Sequence, residues 1–251
     1  MLSLSKPKEF NCIASYVLEM VNAVKVEQLK PFFDRLPADP YLSGNYRFRH
    51  LSHFQIADDR LIQLPHRQLF QSKAYNPILG DIIREYPELD EKLVATADFQ
   101  KIVWEFFQFC QLCTNFNEVA VHQIRTTASS LQLGNPAPEG IHRDGVDLVG
   151  IFSVNRTGIE GGETHLYLEK DGSPAFSKIL NPGEFLVFRD SQYFHYTSPV
   201  KATASELGVR DVFVLTCPGL FPPESEIGSR AERVEGAEEE RRRIKDSRTM
   251  P

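Results

Sequence analysis

Apolar positions along this chain change their spacing more than once. In residues 8–22, Phe10, Ile13, Val17 and Met20 recur every three or four positions, which predicts an amphipathic helix. A second helix is expected over residues 26–34, before Pro37 and Pro40 interrupt the chain. From Tyr46 to Gln63 the pattern shortens: Arg47, Arg49 and Ser52 roughly alternate with aromatic and aliphatic residues, and Leu61-Ile62-Gln63-Leu64 stops at Pro65. This reads as strands with a turn at Asp58-Asp59. Tyr75-Asn76-Pro77 opens another helical region that ends near Pro87, and residues 98–113 carry a strong helical period with Asp98 as the cap.

After Thr114 the texture is that of a β-domain. Runs rich in β-branched and aromatic residues cover 118–126, 146–154, 163–168, 184–188 and 209–216. Turn signals separate them at Gly134-Asn135-Pro136, Gly161-Gly162, Asp171-Gly172 and Asn181-Pro182-Gly183. Short strands at this spacing predict a mainly β protein with flanking helices, whose core is a double-stranded β-helix, the cupin-like jelly roll. One domain is expected over residues 1–220, with 1–113 mostly helical and flanking and 114–220 forming the roll. Residues 221–251 form a charged tail, read as disordered or as a solvated helix because it carries so little apolar surface.

Composition narrows the function. A hydrophobic fraction of 41% with 18 Phe supplies a sizeable core, and a net charge of -6 argues against a polyanion partner such as nucleic acid. The chain has no uninterrupted apolar run long enough for a membrane span and no basic-then-apolar leader at its start, so a cytoplasmic protein is expected. Cys12, Cys110, Cys113 and Cys217 do not make a disulfide framework in a chain of this length. Cys110 and Cys113 fall within the helical period of residues 98–113 and are read as thiols on its buried side.

The candidate chemistry lies in Gly140-Ile141-His142-Arg143-Asp144-Gly145 and in His195. On an extended strand, positions i and i+2 face the same side, so His142 and Asp144 can reach one ion. With His195 brought in from another strand, two imidazoles and one carboxylate would occupy one face of an octahedral metal. This ligand set suits an oxygen-activating non-haem Fe(II). Arg210 begins a final hydrophobic strand, and its guanidinium could clamp a carboxylate in bidentate fashion from inside a barrel. Gln123 and Arg125, on the strand that precedes the His-x-Asp segment, are candidates for contact with an α-keto-acid cosubstrate and with a substrate carboxylate; Thr164, after the Gly161-Gly162 turn, is a further substrate candidate. Asp190 is read either as a group supporting the distal histidine or as a turn residue. His50, His53, His66, His122 and His165 are taken as structural or surface residues, and Asp147 and Glu139 as ligands only in a different strand register.

Several stretches together resemble the Fe(II)/2-oxoglutarate-dependent dioxygenases, in particular the bacterial subfamily that includes a free L-isoleucine 4-hydroxylase. They are Val121-His-Gln-Ile-Arg125, Glu139-Gly-Ile-His-Arg-Asp-Gly-Val146, Gly161-Gly-Glu-Thr164, Pro182-Gly-Glu-Phe185, His195 and Arg210-Asp-Val-Phe-Val214. Tyr46-Arg-Phe-Arg49 and Gln71–Asn76 fit more loosely. The resemblance implies His142, Asp144 and His195 as iron ligands and Arg210 as the 2-oxoglutarate anchor. It implies hydroxylation of an aliphatic carbon of a free L-amino acid or close derivative, with 2-oxoglutarate and O2 converted to succinate and CO2. Asp144 stands where related halogenases have a small residue, which favours hydroxylation. The alternatives are the same chemistry on a peptide or natural-product intermediate, or a non-catalytic cupin-like protein that binds a metal or small ligand.

Overall fold

The computed structural model describes residues 15–57, 60–203 and 207–220. Its frame is a seven-stranded antiparallel sheet built from β1 (Tyr16–Met20), β2 (Arg47–Ala57), β3 (Arg60–Gln63), β4 (Glu118–Ala128), β5 (Leu148–Thr157), β9 (Glu184–Arg189) and β12 (Gly208–Cys217). Their order is β1-β9-β5-β12-β4-β2-β3. Facing it are a three-stranded sheet in the order β10-β7-β8, with β7 (Glu163–Tyr167), β8 (Phe176–Ile179) and β10 (Phe194–Thr197), and a pair formed by β6 (Ile159–Gly161) and β11 (Val200–Ala202). This is the predicted jelly roll.

Alternation along the strands sorts residues to the two faces of the large sheet. On β12, Phe213, Leu215 and Cys217 join an outer cluster with Val119 and Val121 of β4. The long helix α3 (Ala97–Cys113; the shorter helices are α1, Val26–Leu29, and α2, Glu91–Val94) closes that cluster with Phe99, Ile102, Val103, Phe106 and Cys110. The intervening residues, Val212 of β12 and Val149 and Ile151 of β5, pack in a second cluster inside the roll with Leu166, Leu186, Phe188 and Tyr193. Phe99 illustrates the outer packing: its ring lies 5.6 Å from Phe54 and 5.5 Å from Phe213. Each such fully buried aromatic contributes about 1.5–3 kcal/mol through the area it removes from water.

Some sequence expectations need correction. Over the predicted helix 8–22, residues 8–14 lie outside the described residues, while Tyr16–Met20 is a strand that pairs with β9 in the register Leu18↔Leu186. Five residues are too few to separate a period of two from one of 3.6, and the open edge of β9 decides. The helical region expected from Tyr75 to Pro87 is a single turn. The Asn76 side chain accepts the amides of Ile78 and Leu79, and its carbonyl accepts Gly80 N at 2.9 Å. Asp81, at φ 58, then ends the turn in the left-handed region. Gly80 is obligatory there, because an added Cβ would stand 2.2 Å from the Cα of Lys73. Helix α3 is capped by Thr96, whose hydroxyl accepts Phe99 N at 3.2 Å; Asp98 instead accepts Lys25 N at 2.9 Å. The Asp58-Asp59 turn and the tail from residue 221 lie outside the described residues.

Candidate metal and cosubstrate site

An isolated antiparallel bridge brings the two predicted histidines side by side: His142 N donates to His195 O at 3.1 Å, and His195 N to His142 O at 2.8 Å. Their rings lie 4.2 Å apart. Asp144 completes the group, its Oδ1 3.7 Å from His142 Nε2 and its Oδ2 3.6 Å from His195 Nε2. One donor atom from each of the three lies within 4.8 Å of the others. Donors at right angles around one ion with bonds of about 2.1 Å stand about 3 Å apart, so the three fit a common metal after small adjustments.

Neighbouring groups aim these donors. His142 Nδ1 lies 2.8 Å from Gly140 O, which holds the proton on that nitrogen and leaves Nε2 free to face the metal. Asp190 accepts three successive amides, Asp144 N at 3.0 Å, Gly145 N at 2.7 Å and Val146 N at 3.2 Å. Its Oδ1 also lies 3.7 Å from His195 Nδ1, so it braces the loop that carries Asp144 against the ring of His195. Gln71 donates to Asp144 Oδ1 at 2.9 Å, and its own carbonyl oxygen accepts Asn76 Nδ2 at 3.1 Å and Arg84 Nη2 at 3.2 Å. Burial pushes the His195 imidazole down to about 3, with His142 adding to the effect, which keeps it in the neutral form that ligates metals. Burial alone would raise the Asp144 carboxyl, but His195, His142 and the Gln71 amide outweigh it and hold the group low.

The three side chains open onto a cavity of about 100 Å³ inside the roll. Arg210 lines it, with only 4% of its surface exposed, and no carboxylate among the described residues lies within ion-pair distance of its guanidinium. Burial, helped by the nearby Arg156, lowers its pKa to about 10, so it remains a cation at neutral pH. Gly162 makes room for this side chain: at φ +67, an added Cβ would lie 3.3 Å from Arg210 Cδ and 2.8 Å from Val200.

Three other predicted residues do not reach the cavity. Gln123 and Arg125 share the outward parity of Val119 and Val121. The Gln123 amide donates to Phe32 O at 3.1 Å, and Arg125 binds Asp211 at 2.7 and 2.9 Å and Asp34 at 2.8 Å. They hold the outer face together and are not positioned for a cosubstrate or substrate. Thr164 is fully buried within the small sheet, 3.3 Å from the hydroxyl of Thr197, and it is Thr197 that lines the cavity. Conversely, His122, taken as structural, faces the cavity with Nδ1 2.5 Å from Arg49 Nη2. Arg47, Arg49, Gln71 and Arg84 also line it. Strand parity was the available signal: His122, Ile124 and Thr126 alternate with Val119, Val121 and Gln123. Glu139 reaches the rim, its Oε1 3.4 Å from His142 Nε2, while Asp147 is turned away and accepts the Thr114 hydroxyl at 2.7 Å.

A three-residue His-Asp-His centre with a buried arginine, inside a jelly roll, defines a class of iron oxygenase, and comparison with known proteins agrees. The 2OG-Fe dioxygenase family profile matches residues 30–216, and the chain belongs to that family. It is 27% identical over 203 residues to 3(1)-hydroxy-L-isoleucine 4-dioxygenase of Pantoea ananatis (strain AJ13355), covering 76% of this chain and 80% of that protein. It is 25% identical over 154 residues to L-isoleucine-4-hydroxylase of Bacillus thuringiensis, covering 59% of this chain and 63% of that one. Among solved structures, a bsmA homolog from Methylobium petroleophilum PM1 superposes with a TM-score of 0.69 at 26% identity, covering 78% of this chain and 82% of the other. IDO from Bacillus thuringiensis does so with a TM-score of 0.68 at 19% identity, covering 80% and 92%, a likeness of fold. The family works with Fe(II), 2-oxoglutarate and O2, and the donor set of this chain fits that metal.

Proposed function

We propose that this protein hydroxylates an aliphatic carbon of a free L-amino acid or close derivative, with His142, Asp144 and His195 holding Fe(II) and Arg210 anchoring 2-oxoglutarate. The observation that carries the reading is the convergence of these three donors in one small cavity that also contains a buried guanidinium. Fe(II) with 2-oxoglutarate and O2 supplies the oxidising chemistry, and succinate and CO2 leave as by-products. The chain's own residues position the reactants: Arg210 fixes the distal carboxylate of the keto acid, and Val149, Ile151, Val212 and Val214 present an apolar wall that excludes water. A free amino acid is favoured because both relatives above are named for isoleucine or hydroxy-isoleucine.

Anaerobic addition of Fe(II) and 2-oxoglutarate is expected to give a weak visible charge-transfer absorption. A panel of L-amino acids should then stimulate succinate release, with one oxygen atom gained in the product. His142→Ala should lose the absorption. Arg210→Lys should retain it but need about tenfold or more 2-oxoglutarate, since lysine cannot reproduce the two-pronged bond. A folded wild-type protein that never develops the absorption would overturn the assignment.

A further inference from the structure

The cavity carries more positive charge than iron and 2-oxoglutarate require. Of its four arginines, Arg47 is matched by Asp39, with Nη2 to Oδ2 at 2.8 Å and both side chains buried. Arg210 serves the keto acid. Arg49 and Arg84 remain, only 8% and 2% exposed, and among the described residues no carboxylate lies within ion-pair distance of either. Arg49 lies over the Tyr86 ring at 4.6 Å and donates to His122; Arg84 donates to Gln71. The Nε atoms of both are buried without a partner.

Two buried guanidinium groups with free donors and no anion are a costly arrangement, since an isolated charge loses hydration that nothing replaces. Their planar forks match a carboxylate. Their position is equally specific. Arg84 bonds Gln71, which bonds Asp144 Oδ1, so a carboxylate received there lies two hydrogen bonds from the metal group. The Arg49 charge is also felt at Asp144.

We propose that Arg49 and Arg84 form the receptor for the carboxylate of the substrate, separate from the Arg210 anchor, which restricts the substrates to free carboxylic acids. A residue inside a peptide chain, whose carboxyl is an amide, is excluded. The inference rests on the iron and 2-oxoglutarate reading above and specifies its substrate class.

The test uses the full chain loaded anaerobically with Fe(II) and 2-oxoglutarate. L-Isoleucine and other L-amino acids are titrated beside their carboxamides, with binding read as a shift of the charge-transfer absorption. The acids are expected to bind at least about tenfold more tightly than the amides. Arg84→Lys and Arg49→Lys should weaken the acids by a similar factor and leave the 2-oxoglutarate titration within about twofold. Equal binding of acid and amide by the wild type, or no binding of any carboxylic acid, overturns the proposal even where the variants fold poorly. So does a loss of 2-oxoglutarate affinity in the variants without loss of the amino acid. If the absorption never forms, the iron reading fails, and calorimetry of the same acid and amide pairs on metal-free protein still decides whether the receptor exists.

Discussion

Asp144 is held by Gln71, and Gln71 is held by Asn76 and Arg84, so one glutamine links the metal group to the charged wall of the cavity. Gln71→Leu preserves much of the volume and removes the amide donor to the carboxylate. Loss of such an outer partner typically costs 10- to 100-fold in metal affinity. An iron titration of the variant against wild type is expected to show a drop of about that size, with the circular dichroism spectrum unchanged. The His-x-Asp spacing pointed to two members of the candidate metal group, which the structure brings together in the loop before β5, with His142 in a single bridge rather than on a full strand. It could not point to Gln71: a lone glutamine in a turn-rich stretch carries no periodic signal, and its role exists only once the chain folds back on Asp144.

At the scale of elements, the strands were legible and their facing was not. The β-rich runs at 118–126, 146–154, 163–168, 184–188 and 209–216 each became strands, whereas three- and four-residue strands such as β6, β8, β10 and β11 are too short to show alternation. Gln123 and Arg125 are expected inside because polar residues on a strand suggest a site, but on β4 they share the outward parity of Val119 and Val121, while Arg47, Arg49 and Arg210 face the cavity. Arg125 ties β4 to β12 through Asp211, which is fully buried. Arg125→Ala leaves that carboxylate with fewer donors and is expected to cost about 3 kcal/mol in urea unfolding, without raising the Michaelis constant for 2-oxoglutarate. Gly80 gives an independent test of the loop that delivers Gln71 and Arg84. Gly80→Ala forces a Cβ against backbone at 2.2 Å, so it should lower the melting temperature and weaken amino-acid binding together.

For the molecule as a whole, burial of histidines sets an acid limit. Burial, with Arg67 and His66 adding to it, depresses His53 from 6.5 to about 4. The unfolded chain therefore takes up this proton more readily than the folded one. The resulting stability is complete above pH 6.5 and is lost as pH falls from there toward 4. The loss between pH 7 and pH 5 is about 2 kcal/mol, and His53→Gln should lose correspondingly less when urea midpoints are compared at the two values. The bridge between His142 and His195 works in the opposite sense, toward permanence. Because backbone hydrogen bonds already join the two segments without any ion, a chelator is expected to abolish turnover while leaving the melting curve of the roll in place, and ferrous iron added back should restore activity without a refolding step.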